Sequence, residues 1–200
     1  SNGLTGIKMN TSGNTQKLLA IKQWGSTEWA LDGLEFAFLF CTQLTQVSAT
    51  DAPVLNNFNT SLQSVFFGCT SLPFIDVTNW DTSNVVKLRQ FARNSTIIDF
   101  NPSTWDITGV TDFLNFMLGA NGLSTPNYDA TLISWASQTP QLNQVCSFGG
   151  SIYTLGGAAE AARNTLINTY GWTIADGGGY APFIIEVKTD NTGTSNNDQF

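Results

Sequence analysis

The phrase FFGCTSLPFIDVTNWDTSNV, Phe66 to Val85, returns further along the chain as FARNSTIIDFNPSTWDITGV, Phe91 to Val110. At that shift Phe66 falls on Phe91, Cys69 on Asn94, Leu72 on Ile97, Ile75 on Phe100, Trp80-Asp81 on Trp105-Asp106 and Val85 on Val110. The same step again carries Leu88 to Phe113 and Phe91 to Phe116. Backwards, a slightly longer step maps Phe66 to Phe38, Cys69-Thr70-Ser71-Leu72 to Cys41-Thr42-Gln43-Leu44 and Ile75 to Val47. Three units and the start of a fourth therefore run from Leu34 to Gly119. A unit this short cannot bury an apolar face alone. Each must be covered by the next, and the two ends need caps.

Within a unit, Leu72-x-x-Ile75-x-Val77 has the L-x-x-L-x-L spacing of a leucine-rich repeat. The expected inward set is Leu72, Ile75 and Val77, with Leu44, Val47 and Ala49 before it and Ile97, Phe100 and Pro102 after it. Each unit is predicted to be a short strand, a turn carrying Trp-Asp, and a helical or 3₁₀ return that ends in Phe66 or Phe91. At the Cys69/Asn94 exchange, a small polar group in a buried slot would bond the backbone of its neighbour. Cys41 and Cys69 would lie on adjacent strands, whose spacing of about 4.8 Å suits stacked thiols or a bridge. Asn94 on the next rung favours free thiols. The predicted fold class is α/β: a short leucine-rich-repeat solenoid, with repeats of about 25 residues and caps at both ends.

The flanks fit that plan. Residues 1–33 form an N-terminal segment and cap, in which Trp24 and Trp29 would cover the first open end. Residues 34–119 are the repeats, and 120–179 a helical C-terminal cap. That cap has one predicted helix at Pro126–Gln138, capped by Asn127 or Asp129, with Leu132, Ile133 and Trp135 on its apolar face. A second is predicted at Gly157–Tyr170, with Ala158, Ala161, Ala162, Leu166 and Ile167 facing inward and Gly171 as a left-handed stop. WTIADGGG should give a short strand and a flexible stop. Residues 180–200 read as the start of a further β element or a tail, with a strand at Phe183–Val187 able to join another chain.

Composition narrows the function. A net charge of −7 argues against nucleic acid and against anionic membrane surfaces. The absence of histidine removes Ser-His-Asp and Cys-His catalysis and histidine-based zinc sites. Three cysteines without a CxxC pair imply neither a disulfide framework nor structural zinc. No apolar run has the length of a membrane span, so membrane insertion is not expected. The start lacks a signal-peptide pattern, so the chain is expected to be a piece of something longer. Charged residues are only 12% of the chain, with amides and hydroxyls in their place, a pattern common outside the cell.

Several polar clusters invite a functional reading. Asp81 and Asp106 recur with the repeat and read as turn caps, since catalytic groups are seldom repeated on every unit. Asp76 and Asp99, on neighbouring strands, would reach the approximate 5 Å of a retaining glycosidase pair only through stacking. The Asx-rich loops at Asp176-Gly177-Gly178-Gly179 and Asp190–Asp198 lack the spacing of an EF-hand. GGSIYTLGG lacks the GK[ST] of a phosphate loop. No catalytic residue, metal site or cofactor is expected. The binding candidates are the outward positions of the strand face: Gln46, Ser48, Phe74, Asp76, Thr78, Asp99, Asn101 and Ser103. Phe74 would either stand free, as a platform for a sugar or peptide, or fold over Pro73 and Ile98.

The string FxxCxxLxxIDVxNWDTSNV resembles the leucine-rich repeats of BspA-like surface proteins, which overlap a mycoplasma-type lipoprotein repeat family. The WD[TI][ST]xV tail separates it from ordinary leucine-rich repeats. The first unit departs from the pattern at Thr50-Asp51-Ala52-Pro53 and the third at Arg93-Asn94. The stretch FGGSIYTLGGAAEAARNTLINTYGWTIADGG also resembles the cap that follows such repeats in large bacterial surface proteins. The resemblance implies a non-catalytic adhesion module on a cell surface or virion surface. Its partner would be host protein, glycan or another cell. The alternative is a self-assembling virion or filament subunit that forms a homo-oligomer through 180–200.

Overall fold

The computed structural model describes residues 13–26, 34–55, 59–96 and 98–183. Trp29, Ile97, Asp190–Asp198 and all of the expected strand Phe183–Val187 except Phe183 lie outside them. The described strands make parallel pairs. β1 (Ala20–Ile21) pairs with β2 (Gln46–Val47), and β3 (Thr60–Ser61) with β4 (Val85–Lys87). β5 (Val145–Ser147) pairs with β7 (Thr173–Ala175), and β6 (Tyr153–Thr154) with β8 (Gly179–Tyr180). Isolated bridges join Phe74 to Asp99 and Lys87 to Asp112. In every case the partners are one repeat apart, so each pass of the chain lies beside the pass that follows it.

The segments expected as helical or 3₁₀ returns are neither. Residues 34–40, 63–68, 89–94 and 114–119 are runs of overlapping turns. Alternate N–H groups do different jobs. One set closes turns within the pass, as Phe91 N donates to Leu88 O at 3.2 Å and Arg93 N to Gln90 O at 3.2 Å. The other set crosses to the next pass. Ser64 N donates to Arg89 O at 3.0 Å, Phe66 N to Phe91 O at 2.8 Å and Gly68 N to Arg93 O at 2.9 Å. Gln90 N donates to Leu114 O at 3.0 Å, Ala92 N to Phe116 O at 3.0 Å and Asn94 N to Leu118 O at 2.9 Å. Freeing every second N–H requires a left-handed residue at every fourth position. Phe36 and Phe40, Ser64 and Gly68, Gln90 and Asn94, and Asn115 and Gly119 all have φ between 55° and 80°. Four residues per turn of the run leave the buried positions at a helix-like spacing, as in Leu62, Val65, Phe66, Cys69 and in Leu88, Phe91, Ala92, Ser95. That spacing imitates a helix in sequence.

The turn runs also correct the repeat register. The counterpart of Cys69 is Ser95 and not Asn94: Cys69 N donates to Ser95 Oγ at 3.0 Å. The polar atom in this slot bonds a phenylalanine carbonyl of the preceding pass. Cys69 Sγ donates to Phe38 O at 3.1 Å, and Ser95 Oγ makes a short bond to Phe66 O. Asn94 instead holds a left-handed position at φ 57°, which asparagine tolerates well. The step that takes Phe66 to Phe91 is restored where Phe74 bridges Asp99.

Beneath the turns, the core is an aromatic file. Phe38, Phe66, Phe91, Phe116 and Phe148 follow one another with ring centroids 5.5, 5.6, 5.7 and 5.9 Å apart. Trp80 stacks on Trp105 at 6.2 Å, and the Trp105 indole N–H donates to Val77 O of the preceding pass. Leu72, Ile75, Val77 and Phe100 are buried as expected, whereas Val47 and Ala49 are only partly so. Trp24 closes one end, packing edge-on against Trp80 at 5.3 Å. Asp51, in the unit that lacks Trp-Asp, accepts the N–H groups of Trp24 at 2.9 Å and Gly25 at 2.7 Å.

At the other end lie α1 (Thr125–Ser137) and α2 (Ala158–Asn168). Neither Asn127 nor Asp129 caps α1, whose N-cap is Ser124. The buried side of α1 is Tyr128, Thr131, Leu132 and Trp135, and Ile133 is exposed, because the helix lies along the short 3₁₀ turn Pro102–Thr104. There Trp135 Nε1 donates to Pro102 O and Gln138 Nε2 to Trp105 O. Ala159, Ala162 and Leu166 are the buried residues of α2, while Ala158 and Ala161 face out. Gly171 is left-handed at φ 70°. The expected flexible stop is held in place: Gly177 N donates to Ser151 O at 2.8 Å, Gly178 O accepts from Tyr153 N at 3.1 Å, and Gly179 begins β8 against β6.

Asn115 separates a turn run from a helix in one substitution pair. Its left-handed φ of 60° favours Gly over Ala by about 1 kcal/mol, whereas a helix interior favours Ala by about as much. Asn115→Gly should therefore melt above Asn115→Ala in calorimetry, and the reverse order would contradict the turn geometry.

Candidate functional site

The expected strand face is divided by α1. Gln46, Ser48, Phe74, Asp76 and Thr78 are exposed. Phe74 has 51% of its surface accessible. Asp76 Oδ1 accepts Thr78 N at 3.0 Å and Thr78 Oγ1 at 2.6 Å, closing a local turn. Asp99, Asn101 and Ser103 are half-buried, and Asp99 and Ser103 hold the cap. Asp99 Oδ1 accepts Ser124 N, and both its oxygens accept Asn127 Nδ2 at 3.1 Å. Asn101 Oδ1 accepts Ser103 N, and Ser103 O accepts Ser134 Oγ. Asp99 bridges Phe74 across the ladder, so it is not in register with Asp76.

The repeated Asp81 and Asp106 each accept from the residue two positions on. Asp81 Oδ1 takes Ser83 N and Oγ, and Asp106 Oδ1 takes Thr108 N and Oγ1. Hydrogen bonds from Thr78 hold the Asp76 carboxyl, and from Ser83 the Asp81 carboxyl, below the usual carboxylate range. The N–H groups of Trp24 and Gly25 do the same for Asp51. A depressed folded value means that these contacts contribute fully above the ordinary carboxylate range and are lost as pH falls below it. Asp176 is fully engaged: it accepts Tyr128 OH at 2.6 Å, Arg163 Nε at 2.7 Å and Gly178 N at 3.0 Å. Burial, and then this bond to Asp176, raise the Tyr128 phenol well above its ordinary value.

Among the clefts of the described surface are these two. One, of about 330 Å³, is lined by Ser103, Thr104, Asp106, Thr108, Ser134 and Gln138. The other, of about 510 Å³, lies beside Lys87, Arg89, Asp112, Asn143 and Gln144. In it the Arg89 Nε–Asp112 Oδ2 pair closes at 2.7 Å.

The turn runs present a face that the sequence reading passed over. Their outward positions align from pass to pass, so Leu39, Phe67, Arg93 and Leu118 form one column, flanked by Phe40 and Asn94. Phe40 is 51% and Leu118 41% exposed. Phe40 meets the edge of Phe67 at 5.0 Å, and the Arg93 guanidinium lies 5.4 Å from the Phe67 centroid. A side chain on Gly68 would collide with the Phe40 ring, so this left-handed glycine lets the ring lie across the ribbon. Arg93 Nε is buried with no hydrogen-bond partner. The available signal was the outward pair within each run, Leu39-Phe40 and Phe67-Gly68, which a helical reading leaves on a solvated face.

Cys41, Cys69 and Cys146 are buried free thiols. Burial pushes the Cys41 thiol up to about 11 and raises Cys69 and Cys146 as well. Thiolate is the reactive form. Ellman's reagent at neutral pH should therefore find no reactive thiol in the folded chain and all three after denaturation. Only one reactive thiol after non-reducing denaturation would reveal a bridge.

Residues 46–145 match the family described as Mycoplasma protein of unknown function, DUF285. The match covers half of the chain, and the chain belongs to this surface-associated, mycoplasma-type family. No curated protein and no solved structure matches it.

Proposed function

We propose that the chain is a non-catalytic binding module, displayed on a cell surface or virion surface, built on a short leucine-rich-repeat solenoid of the BspA-like kind. The observation that carries this reading is the turn-side face. Large side chains that the core does not need line it from pass to pass: Phe40 is exposed and packs on half-buried Phe67, and Leu118, also exposed, ends the column that Leu39, Phe67 and Arg93 begin. Contiguous exposed apolar surface of this kind marks interaction sites. Phe74 adds a second exposed aromatic on the strand side. The aspartates that recur with the repeat are committed to local turns, and Asp99 and Asp176 to the cap. A protein partner fits the turn-side face better than a glycan, because that face is richer in phenylalanine and leucine than in hydroxyls.

The test is biolayer interferometry of the immobilised chain against a panel of extracellular matrix and serum proteins, with a glycan array beside it. The wild type should bind at least one protein saturably. The double variant Phe40→Ser, Leu118→Ser should bind it at least tenfold more weakly at unchanged melting temperature. Equal binding by the variant, or recognition of glycans alone, would overturn the assignment to this face.

A second reading, a self-assembling virion or filament subunit, is favoured by one observation. Among the described residues β7 and β8 form the last pass, each paired with a strand of the pass before it, and Phe183 just beyond β8 is 90% exposed. Concentration-dependent assembly without ligand in light scattering would favour that subunit.

A further inference from the structure

Arg93 is the unusual residue of the turn-side face. Among the described residues no carboxylate pairs with its guanidinium, although the chain carries a net charge of −7. Arg89, four residues earlier on the same run, is already paired with Asp112 at 2.7 Å. Arg163 is likewise paired with Asp176. Arg93 instead lies against the Phe67 ring, which Phe40 buttresses, and its Nε is buried without an acceptor. A guanidinium held on a ring has lost conformational freedom and part of its hydration before any ligand arrives. Its missing complement is a planar carboxylate, which takes a bidentate fork and is shortest and strongest when charge-assisted.

The surroundings say what should carry that carboxylate. Phe67 and Leu118 flank Arg93 on the passes either side of it, and Leu39 and Phe40 lie on the pass before Phe67. Gln90 Oε1 is already taken by Ser64 Oγ at 3.3 Å, which leaves Asn94 as the adjacent exposed amide. A sugar acid would bring a ring of hydroxyls with too few partners. An anionic membrane would need several free cations and would meet a net negative protein. A carboxylate flanked by apolar side chains meets none of these objections. We propose that Arg93, stacked on Phe67, is the anchor for an aspartate or glutamate set among aromatic or aliphatic residues on a protein partner. This rests on the binding-module reading and names the chemistry of its partner.

The probe is the blocked peptide acetyl-LFEDFL-amide, titrated into the full, isotopically labelled chain while the Arg93 Nε–Hε resonance is followed by NMR. The uncharged isostere acetyl-LFQNFL-amide and N-acetylneuraminic acid serve as comparators. The acidic peptide should shift the Arg93 resonance saturably, and the isostere should bind at least tenfold more weakly. Arg93→Gln should lose tenfold or more for the acidic peptide at unchanged melting temperature, with Arg93→Lys recovering only part, since it restores charge but not the fork. Phe67→Leu should weaken binding while keeping an apolar side chain in place. Equal binding of the isostere, no shift at Arg93, or preference for the sugar acid would overturn the proposal. Loss of a partner protein in the Phe40, Leu118 double variant with the acidic peptide silent would overturn the carboxylate anchor and leave the binding module standing.

Discussion

Everything in this fold depends on where alternate backbone N–H groups go. In the turn runs one N–H closes a turn and the next is handed to the following pass, as Ser64, Phe66 and Gly68 do to Arg89, Phe91 and Arg93. A helix would keep all of its hydrogen bonds to itself and could touch its neighbour only through side chains. Here the backbone itself links neighbouring passes. Left-handed residues are the cost, including two phenylalanines, Phe36 and Phe40, for which that conformation is unfavourable by roughly 1–2 kcal/mol each. The hydrogen bonds to the next pass and the rings packed beneath offset it.

Close backbone stacking sets the rest of the interior. Phenylalanine rings one pass apart fall within 5.5 to 5.9 Å, near the favourable range for aromatic pairs. The small slot beside them takes a thiol at Cys69 and a hydroxyl at Ser95, each donating to a phenylalanine carbonyl of the preceding pass. Trp105 and Trp135 reach back the same way with their indole N–H groups. The ends are then sealed by polar anchors: Asp51 on Trp24 and Gly25 at one, Asp99 on α1 and Asp176 on Arg163 and Tyr128 at the other.

Much of this was legible in the residues. The period, the buried Leu72, Ile75, Val77 and Phe100, the cap role of Trp24 and the two C-terminal helices follow from spacing and composition. The turn runs were not legible, because burial at Leu88, Phe91, Ala92 and Ser95 has helical spacing while the backbone has none. The slot was misaligned because Asn94 and Ser95 are adjacent and both polar, and only the bond from Cys69 N to Ser95 Oγ distinguishes them. At the surface, Phe74, Asp76 and Thr78 stayed open, but Asp99 and Ser103 were claimed by a helix a full repeat further along the chain, a contact that no local pattern announces, and Asn101 caps the turn between them. The turn-side face was missed for the same reason as the turns. Once the run is not a helix, Leu39, Phe67, Arg93 and Leu118 become one column with Phe40 beside it.

That column ties the fold to the proposed binding role, since its alignment exists only if the passes are joined through alternate amides. The most direct measurement is of scalar coupling across those hydrogen bonds by NMR. The stacked-turn geometry predicts couplings from Gln90 N to the Leu114 carbonyl, from Ala92 N to that of Phe116 and from Asn94 N to that of Leu118. Couplings from the same nitrogens to carbonyls four residues earlier in the chain would mean a helix, and would contradict both the stacking and the face built on it.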